Sequence, residues 1–156
     1  MTTSDLVGVW RLISFHDVDD EGNRHEGPLG PNPGGMLFYS VDGHVSVSMM
    51  RAPQGQAAGT AGRAGTAGTA GRAGPAPQGY MSYAGTWRRS GEKVFHTITV
   101  APDPLWLGTE QVRDLLLDGD RLTLCGNSLV GRPQRRILEW ERIGRFDGDL
   151  GHHATP

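Results

Sequence analysis

The sequence holds one cysteine among its 156 residues, Cys125. A disulfide framework is therefore excluded, and a reducing compartment is the natural setting. Charge of one sign is also missing. A net charge of −2 gives no broad field for a nucleic acid or an anionic membrane to follow. No apolar run approaches the ~18 residues of a membrane helix. Residues 1–10 lack the basic and apolar regions of a signal peptide. Nucleophile elbow, phosphate loop, GxGxxG and HExxH are all absent. The expectation is a cytoplasmic protein with no nucleic-acid partner, no membrane partner and no cofactor.

What the chain does have is alternation. Residues 92–125 read as three antiparallel strands in succession. In the first, Val94, His96, Ile98 and Val100 share one face, with Phe95, Thr97 and Thr99 opposite. In the second, Gln111, Arg113, Leu115 and Leu117 oppose Glu110, Val112 and Asp114. Asp118-Gly119-Asp120 is a hairpin signal, after which Leu122 and Leu124 resume the apolar face. Asp114 must face water, so Arg113 and Leu115 face inward. An aliphatic inner wall thus carries one imidazole, one amide and one guanidinium, groups that suit a ligand cavity better than a packed core.

The rest of the chain supplies more strands. Leu6 to Phe15 is rich in strand formers, and residues 17–23 form a turn cluster. Residues 27–35, dense in proline and glycine, predict irregular structure. Met36 to Ser40 and His44 to Arg51 are strands joined by Asp42-Gly43. In the second of these, Val45, Val47 and Met49 are apolar and Ser46 and Ser48 polar. Tyr80 to Arg89 presents Met81, Tyr83, Gly85 and Trp87 on one face. Arg135 to Ile143 closes the series with Leu138 and Trp140 inward. The predicted fold is all-β: a single up-and-down antiparallel barrel of about eight to nine strands, since closure removes the open edges of such a meander. About eight strands leave room for one small ligand. The barrel is assigned to residues 1–145 and a disordered tail to 146–156.

Inside that domain, residues 52–79 form a flexible Gly/Ala-rich loop. GTAGRAGTA at 59–67 returns as GTAGRAGPA at 68–76. Without large apolar side chains such a segment cannot offset its conformational entropy. It is either a lid over the barrel mouth or a neutral expansion of a tolerant loop.

Several segments together resemble the bacterial lipocalin-like domain family, small proteins often found near natural-product biosynthesis genes. They are LVGVWRLISF at 6–15, GGMLFYSVDGHVSVSMMR at 34–51, GYMSYAGTW at 79–87, VFH at 94–96, GTEQVR at 108–113, LDGDRLTL at 117–124 and LEWERI at 138–143. The resemblance spans nearly the whole chain and implies the lipocalin-like barrel. Barrels of this kind serve as carriers and as cyclases alike. The family often has an acidic residue shortly after the position of His96. Thr99 stands there in this chain, so an acid–base role needing that carboxylate is not carried over.

Candidate chemistry falls on the inward faces. His96 is either a core histidine satisfied by its neighbours or a cavity donor and proton-transfer group. Arg113 either reaches the surface, if the strand twists out at that end, or faces inward and needs a partner, because an unpaired buried guanidinium is costly. Glu110, Asp114, Glu139 and Glu141 all have outward parity, which leaves a ligand carboxylate, enolate or acidic heterocycle to fill that place. His96, Arg113 and Tyr83 are the candidate catalytic residues. Gln111, Tyr39, Met49, Trp87, Ile98, Leu115, Leu124 and Trp140 are the candidate ligand contacts, and no metal site is assigned. The predicted ligand is a small, mostly apolar, polyketide-like molecule with an acidic or carbonyl head. On it the protein acts either as a cofactor-independent cyclase or isomerase or as a non-catalytic carrier; a barrel with a filled interior and a purely structural or interaction role is the third reading. A homodimer is compatible with this assignment.

Overall fold

The computed structural model describes residues 3–53, 79–127 and 135–145. Residues 54–78, which hold the nine-residue repeat, and the tail 146–156 lie outside the described residues, as do 128–134. Nine strands follow a short 3-10 turn at Thr3–Leu6: β1 Gly8–Val18, β2 Arg24–Glu26, β3 Gly34–Tyr39, β4 His44–Met50, β5 Tyr80–Ser90, β6 Lys93–Val100, β7 Glu110–Asp118, β8 Arg121–Asn127 and β9 Arg135–Arg145. From β3 to β9 each strand pairs antiparallel with the next, and β1 joins β3 to β9. Eight strands therefore close a barrel, and β2 adds a short pairing to one end of β1.

Alternation does most of this work. β4 runs exposed, buried, exposed, buried from His44 to Val47, which places Val45, Val47 and Met49 in the interior. Gly119 turns β7 into β8 with φ 60°, a left-handed conformation that costs glycine little. Gly85 answers a different demand: a Cβ there would stand 1.8 Å from the Thr97 carbonyl oxygen. At that point β6 makes a bulge against β5, pairing Ala84 with Val100 but Gly85 with Ile98. The extra residue reverses the facing of the strand beyond it. Val100, assigned inward by parity with Ile98, is consequently 64% exposed.

Other boundaries also differ from expectation. Gly34 and Gly35 belong to β3 instead of to the irregular segment before it, paired with Met50 and Met49. The first strand starts at Gly8 and runs through Val18, so Asp17 is a strand residue and not part of the turn. β1 carries two register shifts against β9. These bulges break simple alternation and carry Asp17 inward, where it is 7% exposed.

One end of the barrel is plugged. The turn at Thr3–Leu6 brings Leu6 over Trp10, both wholly buried, and the Trp10 indole N–H donates to the Leu6 carbonyl at 3.0 Å. The Arg142 guanidinium lies 4.3 Å from the centre of the Trp10 ring. It also donates to the carbonyls of Val7 at 2.8 Å and Asp5 at 2.6 Å.

Candidate functional site

Toward the other end the barrel encloses a narrow cavity of about 50 Å³ that opens to solvent. Phe15, Leu37, Val47, Met81 and Leu138 give it an apolar wall. Tyr83, His96, Gln111 and Arg113 form a polar strip on β5, β6 and β7. Strand register explains the strip: His96 pairs with Gln111, and Arg113 comes two residues along the same face of β7.

His96 is the centre of this strip and is 2% exposed. Its Nε2 lies 2.6 Å from the Tyr39 hydroxyl and its Nδ1 2.6 Å from the Tyr83 hydroxyl. Burial, with the nearby positive charge of Arg113, lowers the His96 pKa to about 3. Burial pushes the Tyr83 phenol up to about 12 and raises that of Tyr39 well above its ordinary value. At neutral pH all three groups are therefore uncharged. They can donate and accept hydrogen bonds, but the imidazole is too weak a base to hold a proton.

Arg113 is half-buried. It donates from Nη2 to Gln111 Oε1 and from Nη1 to the Val112 carbonyl, each at 3.1 Å. Among the described residues no carboxylate comes within ion-pair distance of it. Gly126 on β8 makes room for the side chain: a Cβ there would meet Arg113 Nη1 at 2.6 Å and Cδ at 2.7 Å.

A second guanidinium also lines the cavity. Arg136 on β9 lies 5.4 Å from the Phe15 ring centre and is paired with Asp17 at 3.2 Å. Both side chains are about nine-tenths buried, at 11% and 10% exposure. The inward faces do therefore supply one carboxylate, Asp17, and it is occupied by Arg136.

Of the residues singled out from sequence, the structure places His96, Arg113, Tyr83, Gln111, Met49, Leu124 and Trp140 on the cavity wall. Tyr39, Trp87, Ile98 and Leu115 are buried but lie behind or beyond that wall. Tyr39 and Trp87 pack together with ring centres 4.6 Å apart, while the Trp87 indole N–H donates to the Ser40 carbonyl at 3.1 Å. Trp106 joins the cavity from a 3-10 turn at Pro104–Trp106, its ring 6.5 Å from that of Tyr83. Sequence reasoning misses Phe15, Leu37, Val47, Met81, Trp106, Arg136 and Leu138 as contacts. Parity puts Met81 with Tyr83, which is signal enough. Parity with Leu138 and Trp140 likewise puts Arg136 inward; the bulge in β1 that brings Asp17 to it has no sequence signal.

Among known protein families, the model described as a lipocalin-like domain matches residues 7–143. No match is found among curated proteins.

Proposed function

The chain belongs to the lipocalin-like domain family, and we propose that its barrel binds a small, mostly apolar, polyketide-like molecule with an acidic or carbonyl head at Arg113. The observation that carries this is Arg113 itself, a guanidinium on an apolar cavity wall with no carboxylate partner among the described residues. Such a fork suits a carboxylate or enolate oxygen, and the aliphatic wall suits the carbon skeleton.

On such a ligand the protein acts as a cofactor-independent cyclase or isomerase of secondary-metabolite biosynthesis. Holding a flexible chain in a reactive fold removes much of the entropic barrier. Hydrogen bonds from Arg113 and Tyr83 polarise a carbonyl where negative charge develops. The low basicity of His96 favours this electrophilic role over proton abstraction by the imidazole. That same property supports a second reading, a non-catalytic carrier using the same cavity, because no member of the tyrosine–histidine cluster titrates near neutral pH.

Native mass spectrometry of protein purified from its producing cells tests both. A bound small molecule that is lost in Arg113→Met is the expected result. Its return with changed connectivity marks the enzyme, and its return unchanged marks the carrier. Retention of the same molecule by Arg113→Met would refute the assignment of Arg113.

A further inference from the structure

Tyr39, His96 and Tyr83 are joined by two hydrogen bonds of 2.6 Å. A neutral imidazole has one N–H and one bare nitrogen. One tyrosine must therefore donate to the ring while the other accepts from it. With Nε2 protonated, the ring donates to Tyr39, and the Tyr39 proton needs an acceptor elsewhere. Among the described residues it has none, for this side chain is 2% exposed and its ring is packed against Trp87. With Nδ1 protonated, Tyr39 donates to Nε2 and the ring donates to Tyr83. The Tyr83 proton is then left over, and Tyr83 borders the cavity. The second arrangement satisfies every buried donor of the chain of three, whereas the first strands one.

We infer that Tyr39 is a positioning residue: its buried hydroxyl fixes His96 as the Nδ1–H tautomer and so turns the Tyr83 proton toward an acceptor oxygen of the ligand. The rest of the polar strip points the same way. Gln111 Oε1 already accepts from Arg113, and both nitrogens of His96 are engaged, so the strip offers N–H and O–H groups to an occupant. Its preferred partner is a carbonyl, quinone or enolate oxygen in place of a hydroxyl donor. The ligand half of this inference rests on the cavity function proposed above; the tautomer half does not.

Two measurements separate the halves. Long-range proton–nitrogen correlation spectra of histidine-labelled, ligand-free protein report which ring nitrogen of His96 carries hydrogen. The wild type should show a single form, Nδ1 protonated and Nε2 bare, from about pH 5 to about pH 9. In Tyr39→Phe that preference should disappear, with an Nε2–H signal emerging. An Nε2–H form in the wild type, or an unchanged Nδ1–H form in Tyr39→Phe, would overturn the positioning role. The wild-type spectrum needs no variant to fold.

The second measurement compares 9-fluorenone with fluorene, which lacks the carbonyl. Wild type should bind the ketone about threefold to tenfold tighter, the worth of one hydrogen bond. Tyr83→Phe should erase the difference, and Tyr39→Phe should reduce it. A preference that survives Tyr83→Phe intact would remove Tyr83 as the donor. Failure of both compounds to bind would count against the cavity function, and the nitrogen spectra would still decide the role of Tyr39.

Discussion

Two arginines divide this barrel. Arg142, at the plugged end, has a side chain 7% exposed and donates to the carbonyls of Val7 and Asp5 and to Asp120 while covering Trp10. Arg113, on the cavity wall, is half-buried and holds one amide oxygen and one carbonyl. Both are cations on a barrel with a hydrophobic interior. Only the first is answered by a carboxylate, Asp120, and its two backbone carbonyls complete the set. A guanidinium that folding leaves partly unanswered is suited to a ligand. The difference teaches that the same residue type closes one end of the fold and equips the other.

The comparison breaks most visibly at Arg142. Arg142→Met should destabilise the protein by about 3–5 kcal/mol, since it leaves two carbonyls without their donor and uncovers the plug. Chemical denaturation measures this, and a loss below about 1 kcal/mol would make the clamp ornamental.

Next in size is the acid response of the cavity strip. The folded pKa of His96, about 3, lies below the ordinary 6.5, so the unfolded chain takes up a proton that the folded one refuses. Stability from this group is complete above about pH 6.5 and is lost as pH falls toward about 3. Between about pH 6.5 and about pH 4 the loss should be roughly 3 kcal/mol. Subtracting the same curve for His96→Gln isolates it. Identical slopes in the two proteins would mean that His96 titrates normally.

Gly126→Ala sharpens the cavity side. Its new methyl group would displace the Arg113 side chain, so ligand affinity should fall together with about 1–2 kcal/mol of stability. Unaltered affinity would show that the seat beside Gly126 is irrelevant to binding.

The smallest effect belongs to Cys125. It is half-buried on β8, and burial raises its thiol pKa, the reverse of an activated nucleophile. Cys125→Ala should change stability by less than about 1 kcal/mol and leave ligand binding intact. Lost binding in a folded variant would put a reactive thiol in the site.

How much of this is legible in the sequence depends on how regular each strand is. β4, β7 and β8 alternate without interruption, and their inward residues come from parity alone. β1 and β6 contain bulges, and there the same rule fails: Val100 turns outward and Asp17 turns inward. The polar strip can be anticipated because His96, Gln111 and Arg113 lie on regular stretches. The joining of Tyr39 to His96 cannot, since these residues stand 57 positions apart and meet through packing across the interior, beyond the reach of strand pairing. The Asp17–Arg136 pair spans 119 positions and arises from a bulged register, which has no local signature.

The central claim is that Arg113 is held for a ligand and not for the fold. Isothermal titration of 2-naphthoate into wild type and Arg113→Met, with the melting temperature of each ligand-free protein, tests it most directly. The expected result is binding weakened by about 30-fold or more, as for a truncated charge pair, with apo stability unchanged within about 1 kcal/mol. Equal affinity in the two proteins, with Arg113→Met markedly less stable, would make Arg113 a structural arginine like Arg142 and contradict the account.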